Sequence, residues 1–330
     1  MKILVTGSAG HLGEALVRTL HQTEHSVIGL DILPSPFTSQ VGSIVDRNFV
    51  RRCMQGIDVV LHAATLHKPH VLTHSFQDFI DTNISGTNNL LEEAMLAGVQ
   101  AFIFTSTTST FGDAMKPLPG GPATWITEEV NPIPKNIYGV TKIAAENLCK
   151  LFHQRYQLPC LILRTSRFFL EADDQESTRT QFTDLNAKAN EFLYRRVDLA
   201  DIVDAHLLAM GKARDIGFGR YIISATTPFG PTDLKDLQKS AHDVVSRIYP
   251  DFAEIYAQQN WQMFPSLDRV YVNEQARRDL DWQPKYDFRH VLDSIKAGVD
   301  FFSPLARQVG SKVYHDRAFD KGPYPAEQGR

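Results

Sequence analysis

Three groups of residues in this 330-residue chain have the types and spacing to do chemistry. The first is Tyr138-Gly139-Val140-Thr141-Lys142. A Tyr and a Lys at i and i+4 share one face of a helix. A phenol with a reference pKa of about 10 is a poor base at neutral pH. A neighbouring cation favours the phenolate. Tyr138 beside a cationic Lys142 could therefore exchange a proton with a substrate hydroxyl. The second group is the run from Phe102 to Gly112, where a strand-like stretch leads into Thr105, Ser106, Thr107, Thr108, Ser109 and Thr110. One of these hydroxyls could hold a reacting oxygen, while most would satisfy their own backbone. The third is Thr6-Gly7-Ser8-Ala9-Gly10-His11-Leu12-Gly13.

This last loop follows a strand directly and opens a helix, the context in which a glycine pattern acquires meaning. Gly7 permits a tight turn, Gly10 lets a pyrophosphate approach the backbone, and Gly13 allows close helix–strand packing. The helix start then offers free N–H groups and a positive dipole end to an anion. Asp31 ends the second strand, where a carboxylate can accept hydrogen bonds from an adenosine ribose. It would repel the extra phosphate of NADP, and no Arg follows it immediately, so the expected cofactor is NAD.

The elements that must position these groups alternate in type. Lys2–Thr6, Ser26–Asp31, Val41–Val45, Ile57–His62, Ala101–Thr105 and Leu158–Arg164 read as strands. Helical periodicity covers His11–Gln22, a short stretch from Asp46 as N-cap, the segment from Phe76 to a stop at Gly98, and Ile137–Arg155. The alternation predicts an α/β fold with a Rossmann-type doubly wound parallel sheet. Its carboxyl edge, where ligands bind in such folds, would carry the hydroxyl string. After Arg164 the regularity drops. Glu171–Thr183 reads as a loop, and Arg196–Met210 as a strand turning into a helix. The expected organisation is an NAD-binding domain over 1–168, with segments near 196–225 returning to it. A smaller, mixed C-terminal substrate lobe and tail fill most of 169–330.

Hydrophobic residues make up 43% and charged residues 22% of the chain, with a formal net charge of -4. That balance gives no electrostatic reason to expect nucleic acid or an anionic membrane as partner. No apolar run is long enough to span a bilayer. The first one, Ile3–Val5, breaks at Thr6 and Gly7, so no signal peptide is expected. Cys53, Cys149 and Cys160 are too few for a disulfide framework and fit a reducing cytoplasm. His67, Lys68, His70 and His74 straddle Pro69 without an accompanying Cys or carboxylate pattern, and no metal is expected.

Taken together, these features resemble the extended short-chain dehydrogenase/reductases, specifically the NAD-dependent epimerase/dehydratase group, from residue 1 to about Phe302. The TGxxGxxG form of Thr6–Gly13 carries the resemblance, with His62-Ala63-Ala64, Asn83-Ile84-Ser85-Gly86-Thr87, and the YxxxK of Tyr138 and Lys142. Ala276–Pro284 looks like that group's late "eLGWxP" segment. The resemblance implies Thr107 as the catalytic hydroxyl, counting back from Phe111-Gly112, which stands where the family has Tyr-Gly. It makes Tyr138 the acid/base and Lys142 its electrostatic partner, which also binds the nicotinamide ribose. Gly7, Gly10, His11, Leu12, Gly13 and Asp31 would hold the dinucleotide. Ala63, Ala64 and Thr65 would line it near its ribose and phosphates. Ser43, with Ile44 beside it, stands where the family usually has an Asp against adenine. Arg164, Thr165 and Ser166 would border the nicotinamide. A homodimer is also implied, through the helix after strand four and the Tyr–Lys helix, with Ile137, Ala144, Leu148, Leu151 and Phe152 supplying an apolar stripe.

Departures from the family narrow the chemistry. Dehydratases resemble Thr-Asp-Glu at the catalytic hydroxyl, whereas Thr107-Thr108-Ser109 lacks the acid and base that elimination of water needs. Many nucleotide-sugar epimerases have an Asn three positions after the Arg of strand six, then Gly-Pro. Here the run is Arg164-Thr165-Ser166-Arg167-Phe168-Phe169. Arg167 could grip an anionic group bidentately. The polar stretch between Phe169 and Arg196 offers little for a uracil pocket. His67, Thr108, Arg167, Arg195, Arg196 and Arg269 are the substrate-side candidates. The expected activity is hydride transfer between NAD and a secondary alcohol or ketone of a sugar-like or other polar small molecule. Two readings stay open beside it: a sugar or nucleotide-sugar epimerase that retains its NAD, and a non-catalytic dinucleotide sensor.

Overall fold

Alternate residues of a strand point to opposite faces, and the first strand is apolar on both. Ile3 and Val5 pack into one core, and Leu4 into a second core on the other side. A strand covered on both faces belongs in the middle of a parallel sheet. The computed structural model, which describes residues 1–312, 314, 315, 319, 322 and 324, places it there.

In chain order the first elements are β1 (Lys2–Thr6), α1 (His11–Leu20), β2 (Ser26–Asp31), β3 (Gln40–Val41), α2 (Arg47–Cys53) and β4 (Val59–His62). Then come α3 (Phe76–Phe79), a π-helical turn (Ile80–Ser85), α4 (Gly86–Ala97), β5 (Ala101–Thr107), β6 (Thr124–Ile126), α5 (Ile137–Tyr156) and β7 (Cys160–Thr165). The short helices α6 (Glu176–Gln181) and α7 (Asp184–Glu191) precede α8 (Leu199–Ile216) and β8 (Phe218–Ile223). The main sheet has seven strands in the order β3-β2-β1-β4-β5-β7-β8. Its pairings are all parallel. The direction of winding reverses between β1 and β4, and a ligand crevice opens at such a switch point. This is the doubly wound, Rossmann-type sheet that the alternation predicts.

Three local expectations need correction. Strand three does not run from Val41 to Val45; β3 is only Gln40–Val41. The Ser43 hydroxyl accepts from Val45 N at 3.1 Å and turns the chain towards α2. Asp46 then caps α2 by accepting from Asn48 N and Phe49 N. The stretch Glu171–Thr183 is not all loop, because α6 forms within it. With no buried face, α6 gave no apolar period to read. Arg196–Met210 does not begin as a strand. Arg196 makes a single bridge to Arg167, and Asp198 caps α8 through Ala200 N at 2.8 Å.

The later chain adds α9 (Leu234–Leu237), α10 (Ala241–Ile248), α11 (Phe252–Gln258), β9 (Arg269–Tyr271), α12 (Glu274–Leu280), α13 (Phe288–Ala297) and α14 (Pro304–Val309). Strand β9 pairs in parallel with β6 in a second, two-stranded sheet. The segment after α12 is fastened to α8. Trp282 Nε1 donates to Asp201 O at 2.9 Å, and the Asp201 carboxylate accepts from Lys285 N and Tyr286 N. Among the described residues, no helix is long and apolar enough to cross a membrane.

Candidate active site

The glycine loop, the hydroxyl string after β5, the start of α5 and the chain after β7 border one cleft of about 2360 Å³. A pocket for one drug-sized ligand is about 300–1,000 Å³, so this cleft has room for a dinucleotide and a second molecule.

On one side the backbone sets the shape. Gly7 adopts φ +75°, and a Cβ there would lie 2.8 Å from Ala64 N. A Cβ on Gly13 would lie 1.9 Å from Gly7 O. The glycine at each position is thus a steric requirement, and it brings α1 hard against the strands. The N-cap of α1 is Gly10, with no side-chain cap on its first turn. The free N–H groups of that turn suit a pyrophosphate. Asp31 ties the loop to β2, because its Oδ2 accepts from Ala9 N at 3.0 Å and its Oδ1 from Leu33 N at 3.0 Å. Gly7, Gly10, His11, Leu12, Gly13, Asp31, Ser43, Ile44, Ala63, Ala64 and Thr65 all line the cleft. Ser166 lines it too, and its buried Oγ has no hydrogen-bond partner in the protein. These residues fit the dinucleotide the sequence implies.

The proton-transfer candidates converge from different elements. Thr107 ends β5 and Tyr138 lies in the first turn of α5, and both face the same cleft. Thr107 Oγ1 also accepts from Ser109 N at 3.1 Å. Lys142 Nζ donates to Thr105 O at 2.7 Å and lies 4.0 Å from the centre of the Phe104 ring. Among the protein's own groups, burial dominates at both Tyr138 and Lys142. Burial pushes the Tyr138 phenol up to about 12, against the Thr107 hydrogen bond. Burial also brings the Lys142 ammonium down to about 7, against the Glu146 carboxylate. Both groups are shut away from water, and desolvation outweighs their partners.

The expectation for Arg164 needs correction, because it does not line the cleft. Its side chain is buried below the cleft, donating to Glu146 from Nε at 3.0 Å and Nη2 at 2.7 Å. Ser106 Oγ donates to the same carboxylate at 2.6 Å. Arg164 thus braces β7 against α5, and only its neighbours Thr165 and Ser166 reach the cleft.

The substrate-side candidates separate in the same way. His67, Thr108, Arg167, Arg195 and Arg269 line the cleft. Arg196 does not. It is buried with Nε on Glu191 at 2.7 Å and Nη1 on Phe169 O at 2.9 Å. Burial holds the His67 imidazole well below its ordinary pKa, so it faces the cleft neutral. His67 packs against His70 and Tyr314. No group of His, Cys, Asp and Glu among the described residues has the arrangement of a metal site.

Several supporting residues were not foreseen. Asn83, in the π-helical turn, accepts from Leu66 N at 2.8 Å and donates to Leu66 O at 2.9 Å and Thr141 Oγ1 at 3.0 Å. It clamps the cleft wall after β4 to α5. His62 bridges Thr6 Oγ1 at 2.7 Å and Thr87 Oγ1 at 2.9 Å under the sheet edge. Both stand inside the sequence motifs, which gave the signal without the role. Glu191, Asp173 and Asp174, which hold the arginines, had no sequence signal. Nor did the late contact on α1, where Lys312 Nζ pairs with Glu14 and the Tyr314 ring packs on His11 at 5.7 Å.

Comparison with known proteins places this geometry. An uncharacterized UDP-glucose epimerase of Bacillus subtilis is 31% identical over 185 residues, covering 50% of this chain and 55% of that protein. The matched stretch is thus about half the length of that relative. A UDP-glucose 4-epimerase of Rhizobium meliloti is 27% identical over 88% of this chain and 95% of its own length. A short-chain dehydrogenase/reductase superfamily protein from Agrobacterium tumefaciens, solved with bound NAD, superposes with a TM-score of 0.64. It shares 22% identity and covers 93% of this chain and 97% of its own. The family model described as "NAD dependent epimerase/dehydratase family" matches residues 3–224. With the glycine loop, the Tyr–Lys helix and the parallel sheet in place, the chain belongs to the NAD dependent epimerase/dehydratase family.

Proposed function

We propose that this chain passes hydride between NAD and a secondary alcohol or ketone of a sugar-like or other polar substrate, with Tyr138 as acid/base. The observation that carries the reading is the convergence of Thr107, Tyr138 and Lys142 on the cleft that the glycine loop borders. Bound NAD supplies the hydride acceptor and a positively charged ring. In oxidation, Thr107 orients the substrate hydroxyl and Tyr138, present as the phenolate that a protonated Lys142 and the positive ring of NAD would favour, takes its proton; in reduction, the phenol returns it. Lys142 opposes the rise in the phenol pKa to the extent that it is protonated. Gly7, Gly10, His11, Leu12, Gly13, Asp31, Ser43, Ile44, Ala63, Ala64 and Thr65 hold the cofactor, with Ser166 at the nicotinamide end.

A panel of oxidisable sugars and polyols, assayed with NAD against the Tyr138→Phe variant, tests this. Full turnover by the variant on an identified substrate would sink the mechanism. The second reading is an epimerase that keeps its NAD, and the relatives named as UDP-glucose 4-epimerases favour it. Accumulating NADH supports a dehydrogenase, and an inverted product without net NADH supports the epimerase.

The division of labour we propose gives cofactor binding to residues 1–168 with 196–225, and substrate binding mainly to the rest of 169–330. We place the protein in a reducing cytoplasm, since Cys53, Cys149 and Cys160 are buried free thiols. We propose a homodimer through the face of α3 and α5 that exposes Phe76, Val140 and Leu151. Phe152 belongs to the inner core and not to that face. A monomeric mass at micromolar concentration would rule the dimer out.

A further inference from the structure

We infer that the substrate is a free polyhydroxylated molecule, a sugar or polyol carrying at most one negative charge, and not a nucleotide diphosphate sugar. The inference rests on the hydride-transfer reading and narrows it.

The first argument is charge. Arg167 Nη1 holds Asp173 Oδ2 at 3.0 Å and Asp174 Oδ1 at 3.4 Å. Arg195 Nη2 holds the same Asp173 oxygen at 2.9 Å and Glu191 Oε1 at 2.6 Å. Lys68 pairs with Asp174. Arg269 Nη1 holds both oxygens of Asp268, at 2.6 and 2.8 Å. At the rim, Lys116 and Lys135 share Asp113. Apart from Lys142 on the cofactor side, every Lys or Arg lining the cleft among the described residues is thus engaged by a carboxylate of the protein itself; Lys312 is engaged by Glu14.

A diphosphate brings two negative charges that need cations of their own. At Arg167 and Arg195 it would have to compete with Asp173, Asp174 and Glu191, and only the partners of Arg269, Lys116 and Lys135 are exposed enough to turn away. Asp173, Asp174 and Glu191 are 6%, 7% and 1% exposed, so little water is open to their carboxylates once displaced. Eviction would leave buried charges unpaired, which is the costly outcome for a buried ion pair. The carboxylates therefore discriminate against a diphosphate by repulsion.

The second argument is what the free surface offers. Thr108, Ser109 and Ser266 line the cleft, and the buried Ser166 Oγ lacks a partner. Hydroxyls both donate and accept, which suits a ligand rich in hydroxyls of its own. Beside them stand Phe182, Tyr194 and Phe264, with Phe182 and Phe264 edge to face at 4.8 Å. Aromatic faces flanked by small hydroxyls suit the C–H faces and hydroxyl edges of a sugar ring.

The test uses the full-length, NAD-loaded protein. Free aldoses, polyols and uronic acids are compared with the matching UDP-sugars for NADH formation or product inversion. UDP and inorganic pyrophosphate are titrated calorimetrically. The expected result is reaction of a free sugar or polyol, with UDP and pyrophosphate binding about 100-fold or more weakly than that substrate. Asp173→Asn frees part of the charge on Arg167 and Arg195, and should raise pyrophosphate affinity about tenfold. If that variant does not fold, the wild-type comparison decides alone. Preferred turnover of a UDP-sugar, or tight UDP binding by the wild type, overturns this inference and leaves the hydride-transfer reading standing. Preferred turnover of an apolar secondary alcohol overturns it in the same way. If no alcohol of any class reacts while NAD is bound, the hydride-transfer reading falls, and the inference with it.

Discussion

On the cofactor side of the cleft, shape is set by what is missing: Gly7 and Gly13 have no Cβ, and α1 has no side-chain cap. On the substrate side, shape is set by long side chains. Arg167, Arg195 and Arg196 converge on Glu191, and Asp173 and Asp174 close the cluster. The first site is held by close backbone contacts that join β1, the turn into α1 and the chain after β4, and the second by ion pairs within the single segment from 167 to 196. A backbone-held site can lose its ligand and keep its fold. A site held by buried ion pairs is also part of what holds the lobe together.

The largest effect is expected between the two halves. Tyr138→Phe should lower turnover by about 10²- to 10⁴-fold, with NAD affinity little changed. Steady-state rates beside calorimetric NAD titration check this. Equal loss of turnover and NAD binding would break the separation of roles. Next, Glu191→Ala should destabilise the fold by about 3–5 kcal/mol, because it strands buried arginines. Urea unfolding measures it. Gly13→Ala is the counterpart on the other side, where a Cβ would lie 1.9 Å from Gly7 O. It should abolish NAD binding while costing about 1–3 kcal/mol of stability through overpacking. If Gly13→Ala unfolds the protein and Glu191→Ala does not, the comparison fails.

Acid should sharpen the contrast. His206 on α8 bonds Thr105 Oγ1 at 2.8 Å and Ile202 O at 2.8 Å, and burial brings its pKa down to about 4. The unfolded chain takes up this proton near pH 6.5. The contribution is therefore complete above that pH and is lost as pH falls towards 4. It amounts to on the order of 3 kcal/mol. Glu191 behaves otherwise. Burial opposes its charge, but Arg196, Arg195 and Arg167 hold its carboxyl below the usual carboxylate range. Mild acid should thus loosen the floor under β5 before it reaches the arginine cluster. Urea midpoints at pH 7 and pH 5, for wild type and His206→Gln, measure this. An undiminished pH dependence in the variant would remove His206 as the cause. The smallest effect is at Asp31. Asp31→Ala should narrow the preference for NAD over NADP by about tenfold, read as the ratio of dissociation constants.

The same contrast explains what was legible. Glycine spacing, strand alternation and the Asp31 position are local patterns, and the loop, the sheet and the cleft edge followed from them. Tyr138 stood out by its helical spacing to Lys142, and Thr107 by counting back from Phe111-Gly112 through the family resemblance. The cluster around Glu191 has no period and no motif. It joins residues from the chain after β7, from α7 and from the turn after α7, so nothing in their spacing announced it. The same blindness misassigned Arg164 and Arg196. An arginine next to a cleft reads alike whether its partner is a ligand or a buried glutamate. Helix α6 was missed for a related reason, since a helix that buries no face leaves no stripe.

The contact between Lys312 and Glu14 spans 298 positions of the chain. Tyr314 packs on His11 beside it. Synthesis proceeds at about 5–20 residues per second, so the glycine loop leaves the ribosome tens of seconds before the residues that come to rest on its helix. During that interval the His11 side of the loop is uncovered. The wall of the cleft on that side is thus finished by residues from the far end of the described chain.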